Sequence, residues 1–172
     1  MVVLIMAFKQ AAKLSSEDVL RQFADKASQN KAPGLNYAGE ISPKEAFEYA
    51  SVNPSVIVDV RTTPEWQFVG IPDLSNTPSQ LLTLSWKLYP SFALNPKFTG
   101  DLIAEPSINI DTPLFFLCRS GGRSLDAALA MTAEGYHYCF NITDGFEGEA
   151  DGAGHRSTKQ GWKNANLPWT QG

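Results

Sequence analysis

The chain predicts an α/β fold, with an open parallel sheet flanked by helices on both faces. Two short apolar runs, Val56-Ile57-Val58-Asp59-Val60 and Leu114-Phe115-Phe116-Leu117, have the near-continuous hydrophobicity of strands covered on both sides. They alternate with segments whose apolar residues recur at helical spacing, as around Ala46, Phe47, Tyr49 and Ala50. Strands separated by helices return to the sheet through crossovers, which makes the pairing parallel.

In chain order, Ser15 or Ser16 caps a first helix reaching about residue 30, with Glu17 and Asp18 in its favourable first turn. Val19, Leu20, Phe23 and Ala27 share one face, which docks on the body or on another chain. Asn30-Lys31-Ala32-Pro33-Gly34 breaks the helix, and a short strand is expected over residues 35–38. Ser42-Pro43-Lys44-Glu45 combines proline at the first helical position with a capping-box spacing and opens a second helix. A strand over 56–60 and a short helix over 62–68 follow. Residues 71–89 show no clear period, and 81–88 reads equally as strand or helix. Helices over 95–104 and from 122 to about 134, the latter stopped by Gly135, bracket the strand at 114–117. A last strand covers 136–142, and the tail over 150–169 wraps the body, anchored by Trp162 and Trp169. The organisation is an N-terminal extension over residues 1–34 and one domain over 35–172.

Composition restricts the function. The 172 residues are 43% hydrophobic and 19% charged, ordinary for a globular protein. A formal charge of -4 gives no overall reason to bind nucleic acid or an anionic membrane. Any anionic substrate therefore depends on local cations. Cys118 and Cys139 fall on separate expected strands, which suits a reduced, cytoplasmic setting better than a disulfide. The apolar stretch over residues 2–8 is too short to span a bilayer and has no basic leader, leaving export as the minor alternative to a cytoplasmic location. No His/Cys cluster has metal-ligand spacing, so no metal and no cofactor are expected.

The chemistry concentrates at Cys118-Arg119-Ser120-Gly121-Gly122-Arg123-Ser124. This loop follows an apolar strand and opens a helix, the place where α/β sheets bind ligands. Backbone N–H groups and the helix dipole there favour a thiolate, and Arg119 and Arg123 add positive charge. Cys118 is the candidate nucleophile. Arg119, Ser120, Gly121, Gly122, Arg123 and Ser124 are the candidate anion-binding residues. His137 is read as structural, and His155 sits in a Gly-rich tail.

The loop Cys118-Arg119-Ser120-Gly121-Gly122-Arg123 resembles the active-site loop of the rhodanese (thiosulfate sulfurtransferase) family. Upstream, Val56-Ile57-Val58-Asp59-Val60-Arg61-Thr62-Thr63-Pro64-Glu65-Trp66 resembles the strand and turn that open that domain. The order and separation of the motifs fit, and the similarity runs over about residues 37–169. One departure is visible: Phe68-Val69-Gly70-Ile71-Pro72-Asp73 replaces the family's common Gly-His-Ile-Pro-Gly form.

The resemblance implies a rhodanese-like sheet carrying an extra N-terminal helix and a C-terminal tail. It also implies sulfur transfer through a Cys118 persulfide, from a small anionic donor such as thiosulfate to cyanide or a thiol. Asp59 and Arg61 belong to the signature strand and are secondary site residues. An Arg61–Glu65 pair is expected at i, i+4 spacing. Phe146, in the turn after the last strand, is expected to wall the mouth of the site. Two alternatives stand beside this reading. A cysteine phosphatase carries five residues between Cys and Arg, whereas four separate Cys118 from Arg123 here. A non-catalytic docking module, or a dimer formed through the N-terminal helix, is the other.

Overall fold

The computed structural model describes residues 14–172. The apolar stretch at residues 2–8, on which the export alternative rests, lies outside them. Helix α1 (Ser16–Ser28) starts at Ser15, whose hydroxyl accepts the Asp18 N–H while the Asp18 carboxylate reaches back to Ser15. Strand β1 (Gly39–Ile41) follows, and then α2 (Pro43–Val52), closed by the same reciprocal device between Ser42 and Glu45. Strand β2 (Val56–Asp59) leads into α3 (Thr63–Val69) and the two-residue β3 (Ile71–Pro72). The stretch without a clear period resolves into strand β4 (Gln80–Thr83) and a hairpin of β5 (Lys87–Leu88) and β6 (Ala93–Leu94). The chain then forms α4 (Phe98–Ile103), β7 (Leu114–Leu117), α5 (Gly122–Ala133), β8 (Cys139–Ile142) and β9 (Trp169–Thr170).

The main sheet has the order β1-β8-β7-β2-β4, and every pairing in it is parallel. Strands β2, β7 and β8 are buried on both faces, as their apolar runs require. Side chains alternate along β7, so Leu114 and Phe116 face one layer while Phe115 and Leu117 face the other. The first layer packs under α4 and α5 through Phe98, Leu102, Ala127, Ala128 and Met131. The second packs under α1 and α2, with Phe23 against Tyr49, Phe115 and Phe140 at centroid separations of 4.7, 5.7 and 5.3 Å. The apolar face of α1 is thus covered by its own chain.

Two differences from the sequence reading have physical reasons. The first strand lies at Gly39–Ile41 instead of 35–38 because Tyr37 turns inward, its hydroxyl accepting the Ala32 N–H and donating to Glu40. Pairing starts at Gly39, where a Cβ would meet the Ala27 carbonyl at 2.3 Å, so only glycine lets the strand pass α1. Residues 80–83 become strand because β2 offers an edge, a long-range pairing that no local period reports. The tail wraps as expected: β9 pairs antiparallel with β3, and the Trp162 indole N–H donates to the Pro168 carbonyl. Among the described residues, no helix is long and apolar enough to cross a membrane.

Candidate active site

Strand β7 is central in the sheet, and the chain leaves its carboxyl end at Cys118. Alternation carries this side chain to the α5 side of the sheet, where it adjoins the apolar layer of Phe116 and Ala127. The residue is only 1% exposed. Its sulfur is nevertheless not in a purely hydrocarbon setting. The Gly121 N–H donates to Cys118 Sγ at 3.1 Å, and the buried Ser124 hydroxyl donates to it at 3.2 Å. Gly121 makes this possible with φ 107, a backbone conformation that side chains with a Cβ rarely adopt. It is the N-cap of α5, so the sulfur also sits at the positive end of that twelve-residue helix.

The sequence reading assigns the whole span 119–124 to a ring of donors. On the sulfur itself the described residues place two, the Gly121 amide and the Ser124 hydroxyl. Ser120 lies in the loop and Gly122 opens α5, and neither hydrogen-bonds Sγ. Arg119 is exposed, and it lines a cleft of about 590 Å³ together with Arg123, Lys87 and Arg156. Acids in that lining are Glu65 and Glu147, so it is net positive on a negatively charged chain.

Arg123 does not stand free. Its two terminal nitrogens grip the Glu65 carboxylate at 2.9 and 2.7 Å. Glu65 also accepts the Thr62 N–H and hydroxyl, at 2.9 and 2.7 Å. Burial alone would raise its carboxyl, but the bonds from Arg123 and Thr62 outweigh that and hold it down at about 2. Burial works against the Arg123 charge as well, but Glu65, with the nearby Cys118 and Asp59, raises it further. The pair fixes Arg123 beside the thiol as a permanent cation and ties α3 to the loop.

Glu65 therefore belongs to Arg123 and not to Arg61, which corrects the expected i, i+4 pair. Arg61 is fully buried with Asp59, its Nε and Nη2 reaching the carboxylate at 2.9 and 2.6 Å while Nη2 also donates to the Gly70 carbonyl at 2.7 Å. A guanidinium committed in this way braces the turn after β2. Phe146 is likewise no wall of the mouth. It is fully buried, and the Arg61 guanidinium stacks over its ring at 4.1 Å. Its backbone takes part instead: Phe146 N–H donates to the Cys118 carbonyl at 2.8 Å, and Glu147 and Gly148 donate to the Arg119 carbonyl at 3.0 and 3.1 Å.

That contact exposes a residue the sequence reading missed. Gly145 packs so tightly on the loop that a Cβ would lie 2.4 Å from the Cys118 carbonyl oxygen. The Asp144-Gly145 pair signals a turn, but its target across the sheet has no sequence signature. Lys87 and Arg156 escape sequence reading for the same reason, since they lie 31 and 38 positions from Cys118. His155 lies in an exposed turn where its N–H is held by Asp151, and His137 pairs with Asp111.

Comparison with known proteins decides the family. The rhodanese-like domain profile matches residues 42–150. The chain belongs to the rhodanese-like domain family. Its sheet, with helices on both faces, is that of the family's solved structures. A protein of Rickettsia rickettsii described as an uncharacterized RP600 homolog is 45% identical over 113 residues, covering 66% of this chain and 80% of that one. The uncharacterized RP600 of Rickettsia prowazekii is 42% identical over 117 residues, covering 68% and 84%. Among solved structures, Rv0390 from M. tuberculosis is 40% identical with a TM-score of 0.70, over 80% of this chain and all of that one. The polysulfide-sulfur transferase homodimer of Wolinella succinogenes, 16% identical with a TM-score of 0.50 over 91% and 90%, shares the fold.

Proposed function

We propose that this rhodanese-like domain is a sulfurtransferase that carries sulfane sulfur on Cys118. The observation that supports it most is the pair of donors, Gly121 N–H and Ser124 hydroxyl, aimed at Cys118 Sγ at the head of α5. A structural cysteine has no need of them. They stabilise negative charge on sulfur, both in the attacking thiolate and in the persulfide that follows.

In the first half-reaction the Cys118 thiolate attacks the outer sulfur of a thiosulfate-like donor. A new S–S bond forms at Cys118, the donor's S–S bond breaks, and sulfite leaves with the electron pair. Arg119, with Arg123 held by Glu65, meets the sulfonate end. In the second half-reaction cyanide or a thiolate attacks the outer sulfur, and Cys118 departs as thiolate, which restores the start of a ping-pong cycle. The nearly complete burial of Cys118 selects slender donors that present a terminal sulfur. The reaction proceeds with no metal or cofactor, in the cytoplasm.

Rapid mixing with thiosulfate and no acceptor tests this directly. One equivalent of sulfite per chain is expected in the first turnover, followed by arrest until cyanide is added. Sulfite release that needs cyanide from the start would rule out a persulfide stage.

A further inference from the structure

The hairpin of β5 and β6 exposes what folded proteins usually bury. Leu88, Tyr89, Phe92 and Leu94 are 41, 61, 51 and 55% exposed within seven residues of chain. Phe92 has φ 56, left-handed backbone where asparagine or glycine sits more easily than an aromatic. Neither the turn nor the core calls for a phenyl ring there; its aromatic contact is the edge of Tyr89, at 6.4 Å between centroids. Clustered apolar side chains of this kind mark binding surfaces.

The position of the hairpin says what it binds. Tyr89 and Phe92 line the same cleft as Arg119 and Arg123, and the hairpin adds Lys87 to its cations. Glu65, one of the two acids there, is already held by Arg123. A chain of formal charge -4 gives an acidic partner no general attraction, so it is this net-positive cleft that draws one. A cleft of about 590 Å³ also far exceeds what a small inorganic donor fills. A free small thiol would leave Leu88 and Leu94, outside the cleft, uncovered.

We infer that the hairpin and cleft form a docking surface for the sulfur acceptor, an acidic, cysteine-bearing segment of a partner protein. Its apolar side chains cover Tyr89, Phe92 and Leu94, and its carboxylates face Lys87, Arg119 and Arg156. The inference rests on the sulfur-transfer reading for its chemistry. The partner's cysteine thiolate attacks the outer sulfur of the Cys118 persulfide, a partner persulfide forms, and Cys118 leaves as thiolate.

The test uses chain loaded with thiosulfate, desalted, and mixed with one of three acceptors. These are a synthetic peptide with cysteine and phenylalanine flanked by glutamates, the same peptide flanked by lysines, and free cysteine. Transfer to the acidic peptide should exceed the other two by roughly tenfold. Phe92→Asn should remove most of that preference without lowering the melting temperature, since asparagine accepts the left-handed backbone. Equal rates for the three acceptors, or a preference that survives Phe92→Asn, would overturn the inference. If thiosulfate loads no sulfur, the sulfur-transfer reading fails separately. The surface is then read by fluorescence anisotropy of labelled peptides with serine in place of cysteine. Tighter binding of the acidic one that is lost in Phe92→Asn supports the surface, and no preference overturns it.

Discussion

Cys118 and Cys139 lie at opposite ends of neighbouring parallel strands, and both are buried. Their surroundings differ in what is aimed at the sulfur. Cys139 sits among hydrocarbon, and its thiol points at the Tyr136 carbonyl 3.7 Å away, an acceptor that favours the protonated form. Burial pushes that thiol up to about 12, while the Thr132 hydroxyl works in the other direction. Cys118 faces donors instead: an amide, a hydroxyl and the amino end of α5. Burial alone makes a cysteine inert. In the reaction proposed above, donors aimed at a buried sulfur replace the water removed with fixed dipoles.

The largest effect should come from the cysteines themselves. Cys118→Ser is expected to lower thiosulfate:cyanide turnover by about a thousandfold or more, because no other group can take over as nucleophile. Cys139→Ala should leave turnover within about twofold and lower stability by on the order of 1 kcal/mol, the cost of a small buried deletion. Steady-state assays and urea melts of both variants check this. A Cys139 variant that loses activity while folded would erase the contrast.

Next in size is the turn that braces the loop. Gly145→Ala places a Cβ where the Cys118 carbonyl oxygen already stands, at a residue with φ 60. The loop must move, and a displacement near 1 Å at a reacting centre costs about a hundredfold. kcat/KM should fall accordingly while circular dichroism keeps its native form. Ser124→Ala removes one of the two donors on Sγ, and a hydrogen bond to a charged group is worth roughly 1.5–3 kcal/mol. A drop in turnover of about tenfold or more is expected, with Ser124→Thr restoring part of it.

The smallest effect concerns the Glu65–Arg123 clamp and its pH dependence. The folded carboxyl titrates near 2, below its ordinary 4.5. The stability it contributes is therefore complete above about pH 4.5 and is lost as pH falls toward 2. Glu65→Gln should melt lower than the parent at neutral pH, and the gap should close on acidification through that window. A gap independent of pH would show that the clamp's charge does not matter.

What the sequence disclosed followed from local rules. A serine cap at Ser15 or Ser16, the capping box at Ser42, the apolar runs of β2 and β7, and the Gly135 stop are readable because each depends on residues within one turn or strand. The cysteine loop was readable because strand, nucleophile, glycines and helix start are contiguous. Misreadings occurred wherever a partner came from far along the chain. The i, i+4 spacing points Glu65 to Arg61, but Asp59 fills that guanidinium and Arg123 arrives from 58 residues away. The family resemblance puts Phe146 at the mouth, yet Arg61 and Trp169 close over the ring. β4 was ambiguous because an edge strand takes its identity from the neighbour it pairs with.

The central claim is that sulfur is carried at Cys118, held by the Gly121 amide and the Ser124 hydroxyl at the head of α5. Peptide mapping by tandem mass spectrometry after thiosulfate treatment, with both thiols capped under denaturing conditions, tests it most directly. One additional sulfur is expected on the peptide containing Cys118 and none on that containing Cys139. Sulfur on Cys139, or on both peptides alike, would contradict the account.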